Sequence, residues 1–122
     1  MSKKMLFVMA IANPSNPLEV FVPLSQSSVA AAMGYEVELI FTGCSGELAK
    51  PDFAKTIIIP AQGGKTAYDL IKEGYDAGVV YKVCSPMLAL WGDDVISEVT
   101  EVIGAAYVIS ESMEGESVVF TY

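Results

Sequence analysis

Apolar and polar positions fall into blocks along the chain, and each block predicts an element. Residues 5–12 (MLFVMAIA) are apolar throughout, the pattern of a strand covered on both faces. Asn13-Pro14-Ser15-Asn16-Pro17 reads as a turn, with Asn16 able to cap a helix and Pro17 suited to its first position. Val20, Phe21, Leu24, Ser28 and Ala31 continue at helical spacing. Pro23 is expected to bend this helix or limit its first turn, and Gly34 to end it. Residues 35–42 (YEVELIFT) predict a second strand, with Val37, Leu39 and Phe41 on one side and Glu36 and Glu38 on the other. That half-alternation reads as a strand whose early part lies near an edge. Residues 43–46 form the loop leaving it, 47–53 fit neither period, and 56–59 (TIII) predict a brief strand.

The clearest helix covers residues 65–77. Ala67, Leu70, Ile71 and Gly74 share one face, Asp69, Lys72, Glu73 and Asp76 the other, and Gly78 stops it. Residues 79–83 (VVYKV) predict a strand running into Cys84. Ser85-Pro86 reads as cap and first position of a short helix to Leu90, broken by Trp91-Gly92. Residues 93–99 are helical or looped, 102–103 a very short strand, 105–113 a helix and 117–121 (SVVFT) the last strand. Strand and helix alternate throughout, without linker or repeat. The expected fold is therefore one α/β domain over residues 1–122, a three-layer sandwich on a mainly parallel sheet. Ligand sites in such folds lie beyond the carboxyl ends of the strands, where the loops 13–16, 43–46 and 84–86 are expected.

Composition narrows the chemistry. The chain has 122 residues, 52% hydrophobic and 18% charged, which excludes disorder. Fifteen acids against seven bases give a net charge of −8, unfavourable for nucleic acid and anionic membranes. Every base is lysine; the chain contains neither histidine nor arginine. Histidine-dependent triads, His-ligated zinc and bidentate arginine recognition are thereby removed. Lys3 and Lys4 before an apolar run imitate a signal peptide, but the run is too short for its hydrophobic region and reads as a buried strand. No apolar run approaches the ~20 residues needed to span a bilayer. Two cysteines, Cys44 and Cys84, make no disulfide framework, so reduced thiols and a cytoplasmic location are expected.

Two motifs fail on inspection. Gln62-Gly63-Gly64-Lys65-Thr66 looks like the end of a phosphate-binding loop, but the glycine required five positions before Gly64 is Ile59; the glycines read as a turn. Asp93, Asp94 and Glu98 match no calcium-loop spacing and read as solvated surface. Neither a metal nor a cofactor is expected. Tyr68, Tyr75 and Tyr81 read as packing groups with a wet hydroxyl.

Cys84 carries a mechanism in its position. It ends a strand, and the Ser85-Pro86 helix start directs backbone N–H groups toward its sulfur, which favours thiolate. Lys82, two residues earlier, projects to the same sheet face and would support the thiolate further. A buried structural cysteine is the competing reading. Cys44, in a glycine-flanked loop, is either a second or resolving thiol or incidental.

Three stretches carry a family resemblance: MLFVMAIANPSNP at the first strand and turn, AAAMGYEV leading to Phe41-Thr42, and LIKEGYDAGVVYKVCSP over residues 70–86. Residues 102–107 and the terminal Val118-Val119-Phe120 also fit. With these the chain resembles the DsrE/DsrF-like family, which includes the TusD-type sulfur-relay subunits. The resemblance implies a flavodoxin-like fold of about five strands and homo- or hetero-oligomers, commonly trimers or hexamers. It implies that Cys84 accepts sulfane sulfur as a persulfide and passes it on, with a TusA-like or rhodanese-type sulfur carrier as partner. Cys84 is followed by Ser85-Pro86-Met87, without the arginine-rich stretch of TusD-type subunits, which makes the chain more similar to the stand-alone branch. Persulfide transfer needs an accessible thiolate and no histidine, metal or cofactor. The alternative is a non-catalytic oligomer that binds a ligand or protein, with Cys84 as packing.

Overall fold

In the computed structural model, which describes residues 3–122, five parallel strands form one sheet. The strands are β1 (Lys4–Met9), β2 (Glu36–Phe41), β3 (Val80–Cys84), β4 (Val99–Ile103) and β5 (Ser117–Thr121). Their order is β4-β3-β2-β1-β5. Four α-helices connect them: α1 (Pro17–Ala32), α2 (Ala67–Ala77), α3 (Pro86–Trp91) and α4 (Ala105–Ser112). Two 3-10 stretches, Gly43–Ala49 and Ala54–Thr56, lie between β2 and α2.

The order explains the layers. β1 to β4 step one way across the sheet, and right-handed crossovers put α1, α2 and α3 on one face. The chain then returns across the sheet to β5, which puts α4 on the other. Side chains agree: the Tyr81 side chain from β3 reaches Gly74 of α2, whereas the adjacent Lys82 reaches Tyr107 of α4. This is the flavodoxin-like three-layer arrangement expected from the sequence. The core lies mainly on the α1–α2 face, around Phe7, Met9, Leu24, Leu39, Phe41, Ile71 and Tyr81.

Local chemistry fixes the element ends. The Asn16 side chain accepts from the Leu18 N–H, and Pro17 opens α1. Thr66 and Asp69 form a capping box on α2, and Gly78, at φ 113°, closes it. The helix therefore starts two residues later than its apolar pattern suggests. Among the described residues, no helix is long and apolar enough to cross a membrane.

Several expectations are corrected. Pro23 does not shorten α1; it is buried within a helix that continues to Ala32. Residues 56–59 form no strand, because only Ile58 bridges, antiparallel, to Thr66. β1 ends at Met9, since the Ala10 and Ile11 N–H groups both turn to the Tyr122 carbonyl. β4 begins earlier than predicted, at Val99. β2 is the middle strand, not an edge: Glu38 on it is buried, matched there by lysines instead of water.

Candidate functional site

Cys84 is the last residue of β3 and pairs with Ile103, the last residue of β4. The Ser85 N–H donates to the Ile103 carbonyl at 2.8 Å, closing the two strand ends together. Beyond this point the chains part. α3 packs on the Val83 side, with Met87 against Gly46, whereas α4 rises on the side of Lys82 and Cys84. Adjacent strands whose following helices go to opposite faces define the topological switch point of an open α/β sheet. Cys84 therefore occupies the position where such folds place their chemistry.

Its surroundings differ from the sequence expectation in two respects. Ser85 makes no side-chain cap: its backbone is already helical (φ −55°, ψ −36°) and lacks the extended conformation from which a cap residue bonds the first N–H groups. Pro86 does occupy the first turn. Lys82 shares the sheet face of Cys84, as the strand alternation requires, but its ammonium is engaged elsewhere. It donates to the Tyr107 hydroxyl at 2.6 Å and lies 3.2 Å from Glu38 and 2.8 Å from Glu101. Cys84 itself is buried, 7% exposed.

The Lys82 cluster extends across the sheet. The Tyr107 hydroxyl donates to Glu38 at 2.7 Å, Lys4 pairs with Glu38 at 3.0 Å, and Lys4 also pairs with Glu111 of α4. Burial works against the charge on Lys82 and Lys4, but carboxylate partners outweigh it and hold both ammoniums above the ordinary lysine range. Burial likewise opposes charge on Glu38, and the Tyr107 hydroxyl with the two lysines overcomes it, so the carboxyl titrates below its ordinary value. Hydrophobic periodicity missed this cluster; the unbalanced Glu38 and Lys82 inside apolar strands were its only sequence signal.

Cys44 is exposed. It lies in the 3-10 stretch after β2, where its N–H donates to the Ala10 carbonyl at 2.8 Å. With Asn13, Ser15, Phe53, Ile57 and Trp91 it lines a cleft of about 530 Å³ beyond the carboxyl ends of β1 and β2. The Trp91 indole N–H has no hydrogen-bond partner among the described residues. The two thiols thus sit at the same end of the sheet in different settings, one open and one enclosed.

The remaining candidates separate. Glu98 is buried and accepts from the Tyr68 hydroxyl at 2.8 Å, away from the exposed Asp93 and Asp94. Gly63 and Gly64 both have positive φ, 65° and 87°, and form the turn before α2. Tyr81 has no wet hydroxyl: the side chain is fully buried, its oxygen has no hydrogen-bond partner among the described residues, and burial pushes its pKa up.

No family model and no curated protein matches the chain. Among solved structures it is similar to a protein of unknown function, MTH1491, from Methanobacterium thermoautotrophicum. The two superpose with a TM-score of 0.69 over 99% of this chain and 100% of that one, at 16% identity. A likeness at that identity shows the fold.

Proposed function

We propose that this protein is a small sulfur carrier or sulfurtransferase of the DsrE/DsrF-like kind, with Cys84 as the acceptor. The observation that supports the reading is a thiol at the topological switch point of an all-parallel sheet, at the start of α3. In the reaction, the Cys84 thiolate attacks the outer sulfur of a sulfane donor. A new S–S bond forms on Cys84 as the donor's own S–S bond breaks, and the electron pair leaves on the donor thiolate. An acceptor thiolate then takes the outer sulfur, and Cys84 leaves as thiolate. The exchange is balanced without an added oxidant.

The partner is a sulfur-carrier protein, TusA-like or rhodanese-type. A net charge of −8 favours a partner with a basic face. Self-association into a trimer or hexamer belongs to the same reading. It is supported by an apolar groove of about 410 Å³ between α1 and β5, lined by Met5, Val29, Met33, Tyr35 and Val118. Among the described residues Lys3 is the one charged residue lining the groove, so two like-charged copies meet there with little opposing charge.

The burial of Cys84 favours a second reading, in which it is packing and the open cleft beside Cys44 binds a ligand. Mass spectrometry after treatment with a polysulfide donor separates the two. One added sulfur on Cys84 supports transfer; an unmodified Cys84 supports the cleft.

A further inference from the structure

Helix α4 is held to the sheet in an unusual way. None of its residues is buried. Ile109 is 65% exposed, and Met113 just beyond the helix is 79% exposed. Only Tyr107, Val108, Glu111 and Ser112 face inward, each half-buried. The polar members make the attachment: Tyr107 bridges Lys82 and Glu38, and Glu111 pairs with Lys4. α1 and α2, by contrast, bury Val20, Leu24, Leu70 and Ile71 in the core. A helix joined through hydrogen bonds and ion pairs, with little apolar area, opens at lower free energy than the core it covers.

That helix is the only one on the sheet face of Cys84 among the described residues. Its first residue follows Ile103, the partner of Cys84, by two positions. We propose that α4 is a latched gate over Cys84, with Tyr107 and Glu111 as the latch, and that its release exposes the thiol. The gate rests on the Cys84 reading for its purpose, though not for its physics. The latch groups belong to four strands of the sheet, β1 to β4, and to the one helix that covers them. Lys4, Glu38, Lys82 and Glu101 stay on the strands, and Tyr107 and Glu111 leave with α4. The sheet carboxylates keep the lysines neutralised in both states, so opening strands no charge in the core.

The test uses Cys44→Ala chains, so that Cys84 is the one thiol, and alkylation by iodoacetamide, an uncharged reagent. Tyr107→Phe removes the hydroxyl that bridges Lys82 and Glu38, and Glu111→Gln removes the charge that pairs with Lys4. Each is expected to speed Cys84 alkylation by about tenfold or more, the effect on an opening equilibrium of losing a hydrogen bond or a charged partner. Thr66→Ala weakens the cap of α2 on the opposite face and is expected to leave the rate unchanged. The gate is overturned if both latch variants, still folded by circular dichroism, alkylate no faster than the parent. It is equally overturned if Thr66→Ala speeds the reaction as much, because opening would then be global unfolding. A gated thiol that takes up no sulfur would remove the sulfur-carrier reading and leave the gate standing.

Discussion

The Tyr107 hydroxyl on α4 accepts a 2.6 Å hydrogen bond from the Lys82 ammonium on β3. This contact joins the one helix of its face, among the described residues, to a strand that ends, two residues later, in Cys84. Glu38 accepts from the same hydroxyl and pairs with the same lysine, so one carboxylate organises the Tyr107 part of the attachment.

Acid should loosen that layer. The Glu38 carboxyl is held below its ordinary value, against its burial, by Tyr107, Lys4 and Lys82. A depressed folded pKa gives stability that is complete above the unfolded value and lost as pH falls through the folded one. Unfolding free energy from denaturant titration is expected to drop between neutral pH and about pH 3, and Glu38→Gln to flatten part of that drop. An identical acid slope in the variant contradicts the assignment.

Gly74 is a second pressure point. It lies inside α2, where alanine normally favours the helix. Here a Cβ would run into the Tyr81 hydroxyl and lie 2.8 Å from the Ser28 Oγ. The Tyr81 side chain is fully buried and has no room to yield. Gly74→Ala is expected to destabilise by about 1–3 kcal/mol in chemical denaturation, as overpacking does. A stabilised variant would mean that α2 and β3 are farther apart than described.

The capping box of α2 gives a calibration on the same face. Thr66→Ala removes the hydroxyl that accepts from the Asp69 N–H. A loss of about 1 kcal/mol is expected from urea melts, with no change in secondary structure by circular dichroism.

The groove between α1 and β5 predicts self-association. Sedimentation of the intact chain should show a species larger than a monomer, and Val29→Lys with Met33→Lys should shift it toward one. A wild-type chain that stays monomeric at all concentrations tested removes that face as an oligomer contact.

The layers were legible because the chain alternates apolar strands with amphipathic helices, and capping residues such as Asn16, Thr66 and Pro86 mark where helices begin. Glu38 was misread for an equally physical reason. Alternation along one strand reports which side a residue faces, not whether an ion partner waits there, and Lys4 and Lys82 come from strands 34 and 44 residues away. Cys84 could be placed at a strand end because Ser85-Pro86 follows it. Its switch-point position depends on strand order, and its burial on segments distant in the chain, neither of which is written locally. Lys82 illustrates the same limit: alternation predicts its face correctly, and three oxygens from distant segments decide where its charge goes.

The central claim is tested most directly by intact-mass measurement after exposure to a polysulfide donor, on the wild type, Cys84→Ser and Cys44→Ser. One added sulfur is expected on the wild type and on Cys44→Ser, released by an acceptor thiol, and none on Cys84→Ser. An adduct that persists unchanged in Cys84→Ser would contradict it.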